Sequence, residues 1–130
     1  MTMHRLNGAV SYLMGEVGHS IIMPRFQTLA THEISEKSPG EIVTIADEES
    51  EERISEQLAR ILPEARIVGE EATAADASLL DTLGAGLSWL VDPVDGTTNF
   101  SEGKTPFAIM IALLEDGEAQ AGWIYDPVTQ

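Results

Sequence analysis

Apolar residues at Leu6, Val10, Leu13, Val17 and Ile21 recur every three or four positions. That spacing predicts an amphipathic first helix. Pro24 falls inside a pattern that Phe26 and Leu29 continue, and because proline removes an intrahelical hydrogen bond, a kink or a second segment is expected there. Periodicity is lost over residues 31–42, where Ser38-Pro39-Gly40 reads as a loop. Thr44 followed three residues later by Asp47 resembles a capping box with Asp in place of the usual Glu or Gln. Behind it, Ile54, Leu58, Ile61 and Leu62 make the buried stripe of a second helix, closed by Pro63. Glu48, Glu49, Glu51, Glu52 and Glu56 then read as its solvated face, with early acids suited to the positive end of the helix dipole.

The second half changes period. Residues 65–69 form a short β-like segment that delivers Glu70 and Glu71 at its end, and residues 72–87, rich in Ala, Gly and Asp, predict a short helix around 75–83 before a turn. Residues 88–91 read as a buried strand that stops at Asp92. Two apolar runs, 107–114 and 120–125, flank Glu115-Asp116-Gly117-Glu118, and Asp-Gly in that setting is a strong hairpin signal. Helices first and a mainly antiparallel sheet afterwards make an α+β protein. So few strands, one of them terminal, read as a layer that further chain would complete.

Composition narrows the function classes. The chain has 130 residues and 43% hydrophobic content, enough for one domain with a core. Seven Lys plus Arg against 22 Asp plus Glu give a formal charge of −15, which argues against nucleic acid or an anionic membrane surface as partner. A phosphorylated substrate would be repelled too, unless metal ions intervene. Cysteine is absent, so thiolate zinc sites and disulfides are excluded. The longest apolar run, 107–114, is short of the roughly 20 residues that span a bilayer, no signal peptide is evident, and a cytoplasmic protein is the default expectation.

The chemistry concentrates in Trp-Leu-Val-Asp-Pro-Val-Asp-Gly-Thr-Thr-Asn-Phe, residues 89–100. Asp92 and Asp95 stand three residues apart after an apolar run, followed by a Gly-Thr-Thr segment able to start a helix. Hard carboxylate ligands can share divalent cations, and helix-start N–H groups can accept a phosphate. Asp-Pro and Asp-Gly are also ordinary turn dipeptides, so the segment by itself is equally an acidic turn. Asp47 at a helix start and Glu70 at a strand end widen the acidic set. His4, His19 and His32 lie outside every motif and read as structural or surface residues.

Taken in order, these motifs resemble the inositol monophosphatase superfamily of magnesium-dependent, lithium-sensitive phosphatases, which includes fructose-1,6-bisphosphatases and bisphosphate nucleotidases. Val43-Thr44-Ile45-Ala46-Asp47 is similar to its first acidic motif, Ile67-Val68-Gly69-Glu70-Glu71 to its second, residues 89–100 to its signature, and Gly122-Trp123-Ile124-Tyr125-Asp126-Pro127 to the strand that follows. The resemblance implies a layered α/β sandwich of the sugar-phosphatase type, with residues 1–130 as the N-terminal metal- and phosphate-binding part, truncated at Gln130, because the family's further aspartate in a Trp-Asp motif has no counterpart here. It implies that Glu70, Asp92 and the Val94 carbonyl hold one metal and that Asp92 and Asp95 contribute to a second, with two or three Mg2+ in all. Asp95, Gly96 and Thr97 would bind the substrate phosphate. Thr97, hydrogen-bonded towards Asp47 or Glu70, would orient a metal-activated water for direct in-line attack, with Asp47, Glu70 and Thr97 as the catalytic set. Glu71 is assigned a supporting role on an extended segment. Lys37 resembles a lysine ahead of the family's first motif at a spacing one residue short, and no role is assigned to it.

The implied activity is hydrolysis of a small phosphate monoester such as inositol monophosphate, since Asp-Gly-Thr-Thr-Asn-Phe favours that branch. Alternatives are a sugar bisphosphatase or nucleotide phosphatase of the same superfamily, or a noncatalytic divalent-cation-binding fragment. Family members commonly form homodimers, which the resemblance extends to the full-length protein.

Overall fold

The computed structural model describes residues 2–129. Helix α1 (Met3–Val17) starts at Thr2, whose side chain accepts the Arg5 N–H, and buries Leu6, Val10, Leu13, Met14 and Val17. Beyond it lie separate short segments, as the proline led one to expect. The chain widens into a π turn, Gly18–Ile22, then tightens into a 3-10 turn, Met23–Arg25, which seats Pro24 near its start. Gly18 opens the π turn where the chain meets the end of the last strand: a Cβ there would lie 2.8 Å from the Tyr125 ring, so the absence of a side chain permits this close approach.

Residues 31–42 are more ordered than their sequence suggests. Strands β1 (Ile34–Ser38) and β2 (Glu41–Thr44) form an antiparallel hairpin turning at Gly40, which has φ +80°. Ser35, Glu36 and Ser38 are exposed, so there is no buried alternation for a sequence reading to detect. Helix α2 (Ile45–Ile61) then begins with the expected capping box: Thr44 Oγ1 accepts from the N–H of Ala46 and Asp47, and Asp47 Oδ2 accepts the Thr44 N–H at 2.9 Å. The expected acidic face needs one correction. Glu48, Glu52 and Glu56 are exposed, but Glu51 is only 8% exposed and belongs to the inner side of the helix.

Strand β3 (Arg66–Gly69) runs directly into helix α3 (Glu70–Ala75), so Glu70 and Glu71 occupy a helix turn and not an extended segment. A 3-10 helix, Ala77–Gly84, leads into β4 (Leu87–Asp95). This strand does not stop at Asp92; its pairing slips between Asp92 and Asp95 and then resumes. Helix α4 (Thr97–Ser101) precedes the hairpin of β5 (Ala108–Glu115) and β6 (Glu118–Tyr125), joined by Asp116 at φ 51° and Gly117 at φ 83°. Positive φ at both turn residues matches strand twist, which is why Asp-Gly predicted it.

The sheet order is β3-β4-β5-β6, parallel at β3/β4 and antiparallel elsewhere. With the helices this is the expected α+β architecture. The fully buried Val10, Val17, Ile54 and Leu58 of α1 and α2 join Trp89 and Ile109 of the sheet in one core. Phe26, Phe100 and Phe107 close it at one end, with ring centroids 5.0 Å apart for Phe26 and Phe107 and for Phe100 and Phe107. Removing a buried phenylalanine ring costs about 3–5 kcal/mol, so Phe100 is a strong anchor for the short α4. Leu90, Met110 and Ile124 lie on the sheet's exposed face. Among the described residues no helix is long and apolar enough to cross a membrane.

Candidate active site

Three helix starts and one irregular strand carry the acidic motifs. Asp47 is the third residue of α2, Glu70 the first of α3, Asp92 and Asp95 lie where β4 slips, and Thr97 opens α4. Parallel pairing of Gly69 with Val91 carries the next residue of each strand, Glu70 and Asp92, to the same end of the sheet. Lys37, Glu70, Asp92, Asp95, Gly96 and Thr97 all line a polar cleft of about 410 Å³. A larger, mainly apolar cleft of about 700 Å³ meets it at Glu70, Asp92 and Asp95 and continues over Leu90, Met110 and Ile124.

Asp47 is fully buried. Its Oδ2 accepts from the Thr44 N–H and from Thr44 Oγ1 at 2.6 Å, and its Oδ1 faces the Thr97 hydroxyl at 2.8 Å. Burial pushes its pKa above the ordinary aspartate value, while the Thr44 and Thr97 hydrogen bonds pull against that rise. Thr97 Oγ1 is also 2.7 Å from the Val94 carbonyl. Of the two partners expected for Thr97, the structure pairs it with Asp47.

Asp92 is the most perturbed group. Burial foremost, then the neighbouring Glu70 and Asp95 carboxylates, push its pKa to about 8. Its Oδ1 is buried without a hydrogen-bond partner. Like charges resist sharing one site unless a proton or a cation intervenes, and an orphaned carboxylate oxygen is an available ligand. The donor set, oxygens from Glu70, Asp92, Asp95 and the buried Val94 carbonyl, is the hard set that divalent cations of the magnesium type take. The residues therefore fit such an ion by chemistry. Among the described residues, however, no three acidic or His side chains already stand at metal-binding distances; rotation of the exposed Glu70 and Asp95 side chains would be needed to close the shell.

Gly96 has φ +89°, and a Cβ there would stand 2.7 Å from the Pro106 carbonyl oxygen. Only glycine fits this left-handed turn against the neighbouring backbone. It points the chain into α4, whose first N–H groups have no acceptor within their own helix.

Two residues carry more of the site than their sequence positions suggested. Lys37 Nζ donates to Glu70 Oε1 at 3.2 Å and to Glu71 Oε1 at 3.1 Å. Its β-hairpin pairing shifts between Glu36 and Ser38, which places Lys37 in the irregularity. Burial works against its charge, but the Glu71 hydrogen bond and the two carboxylate charges outweigh it and hold the pKa above the ordinary lysine value. The available signal was that Lys37 is the lone Lys or Arg between Arg25 and Arg53 in a strongly acidic stretch. Glu51 is the other: Oε1 accepts the Glu71 N–H at 2.8 Å and Oε2 the Ala72 N–H at 2.9 Å. His4, His19 and His32 are exposed, away from the cleft.

Comparison with known proteins is consistent with this arrangement. Residues 8–130 match the family model described as the inositol monophosphatase family. The chain is 34% identical over 113 residues to an inositol-1-monophosphatase of Bacillus subtilis, covering 87% of this chain and 40% of that protein. It is 37% identical over 92 residues to the Nus factor SuhB of Pasteurella multocida, covering 71% of this chain and 33% of that protein. Among solved structures, a Thermotoga maritima IMPase superposes with a TM-score of 0.76 at 29% identity, over 98% of this chain and 46% of that one. The chain thus spans 33% to 40% of the length of these two curated relatives.

Proposed function

This chain belongs to the inositol monophosphatase family, and on that premise we propose that it supplies the metal- and phosphate-binding part of a magnesium-dependent phosphatase acting on small phosphate monoesters of the inositol monophosphate kind. The observation that carries the reading is Asp92: a carboxylate pushed up to about 8 by burial and by Glu70 and Asp95, with one oxygen lacking any partner.

Glu70, Asp92 and the Val94 carbonyl would hold one cation, and Asp92 with Asp95 would contribute to another. Bound cations supply positive charge against the phosphate and lower the pKa of a coordinated water for direct, in-line attack. The chain's own groups do the rest. The Thr97 hydroxyl can donate to Asp47 Oδ1 or to the Val94 carbonyl; with that carbonyl on a cation it would donate to Asp47, leaving the Thr97 oxygen lone pairs to receive a hydrogen bond from the attacking water. The N–H groups of Gly96 and Thr97, on the backbone lining the cleft, would serve the phosphate as fixed donors, which cost no reorganisation when charge develops. Lys37 offsets the charge of Glu70 and Glu71.

The test is phosphate release from inositol monophosphate with magnesium, comparing the protein that carries residues 1–130 with its Asp92→Asn variant. Loss of turnover with the fold retained supports the reading; unchanged turnover removes Asp92 from the site. Residues 1–130 alone are expected to turn over little, in line with relatives more than twice as long. A noncatalytic reading draws on the relative named Nus factor SuhB, and the same assay decides it: no hydrolysis by the longer protein favours that role. Sensitivity to lithium and a homodimeric, cytoplasmic full-length protein complete the proposal.

A further inference from the structure

We propose that Glu51 is a positioning residue for the acidic cluster: its carboxylate, clamped under the first turn of α3, sets where Glu70 stands beside Asp92. The inference rests on the cation site proposed above.

Glu70 cannot set its own position by packing. Its side chain is 42% exposed, and what it meets, the Lys37 ammonium and the Asp92 carboxyl, are polar side-chain tips and not packed apolar surface. The direction of its Cα–Cβ bond therefore follows from the backbone on either side. Glu51 holds both sides. After Glu70, it accepts the N–H of Glu71 at 2.8 Å and of Ala72 at 2.9 Å, one on each carboxylate oxygen. Before Glu70, Gly69 packs against the same carboxylate so tightly that a Cβ would lie 2.3 Å from Glu51 Cδ and 2.6 Å from each oxygen. Strand pairing of Gly69 with Val91 then transmits this placement to Asp92.

The side chain has to be a carboxylate. Two N–H donors need two acceptor oxygens, and a glutamine would turn its own NH2 group towards one of them. A charge buried to this degree is costly unless hydrogen-bonded, so a residue needed only to fill space here would be apolar. Residues that orient metal ligands from behind typically change metal affinity about 10–100-fold when mutated.

The experiment is calorimetric titration of the chain with manganese, comparing the unaltered sequence, Glu51→Gln and the exposed control Glu52→Gln. Glu51→Gln should weaken manganese affinity about tenfold or more, and Glu52→Gln should leave it unchanged. Equal affinity for Glu51→Gln and the unaltered chain overturns the inference while leaving the cation site standing; no binding by the unaltered chain overturns the cation site itself and the inference with it. Amide exchange on the unaltered chain needs no folded variant. If the clamp favours cation binding, binding must tighten the clamp by the same factor, so the Glu71 and Ala72 amides should exchange slowly and more slowly still with magnesium. Exchange indifferent to magnesium marks a purely structural contact and overturns the proposal.

Discussion

Thr97 Oγ1 lies 2.8 Å from Asp47 Oδ1 and 2.7 Å from the Val94 carbonyl oxygen, so one hydroxyl proton faces two acceptors. The contact ties the start of α4 to the start of α2 across fifty residues of chain. It also couples the two halves of the site. A cation taking the Val94 carbonyl would commit the proton to Asp47.

Thr97→Val keeps the shape but leaves the buried Asp47 oxygen without its donor. A buried acceptor left unpaired costs about 1–3 kcal/mol, and urea unfolding should show a loss in that range. Thr97→Ser restores the hydroxyl and should recover most of it. Equal losses for the two variants would mean that packing of the methyl, and not the hydrogen bond, matters.

Asp92→Asn should separate stability from cation binding. With chelator present, ionisation of Asp92 is opposed by burial foremost and then by Glu70 and Asp95, so removing the carboxyl should relieve that cost and raise the melting temperature. The same variant should lose the further rise that magnesium gives the unaltered chain. A melting temperature that falls in chelator would contradict the crowding of Asp92 by Glu70 and Asp95.

Stability of the chelated chain should also fall as pH rises from about 4 to about 8. An unfolded aspartate releases its proton near 3.8, whereas folded Asp92 keeps it up to about 8. Within that window the folded state binds the extra proton, so each step upward in pH favours unfolding until Asp92 has ionised in both states. Asp47, Glu51 and Glu71, all raised chiefly by burial, act in the same direction. Urea midpoints at pH 5 and pH 8 should differ in this sense, and Asp92→Asn should flatten the difference. Magnesium at pH 8 should restore the lost stability by replacing the proton.

Gly96→Ala should destabilise the chain by more than the roughly 1 kcal/mol that a left-handed conformation costs an ordinary residue, because the added Cβ also meets the Pro106 carbonyl at 2.7 Å. Gly84→Ala is the control, since nothing lies within 4 Å of a Cβ there. Denaturant unfolding of both variants distinguishes the site turn from an ordinary glycine.

Features governed by neighbours in sequence were legible before the fold was known. The α1 stripe, the Thr44 and Asp47 capping box and the Asp116-Gly117 turn each depend on backbone geometry within about four residues, and each is present. The order of Asp47, Glu70, Asp92 and Thr97 was likewise readable, because it is read straight along the chain; Asp47, Glu70 and Thr97 stand at helix starts, whereas Asp92 lies inside β4, where the pairing slips. The β1/β2 hairpin was not, since β1 is short and mostly exposed and β2 buries two consecutive residues, so neither shows an alternating face.

The sequence alone determined which acidic residues this protein offers, where α1, α2 and the last hairpin lie and which family the motifs resemble, because those depend on short-range propensity and on motif order. Tertiary structure decided which of the many acids matter. Glu51 and Glu52 are adjacent and chemically identical, yet one accepts two backbone N–H groups in the interior and the other faces water. Helix rotation against the sheet makes that difference. Lys37 became the cluster's counter-charge in the same way: contact between it and Glu70, 33 residues on, exists only after the hairpin and the parallel strand have packed.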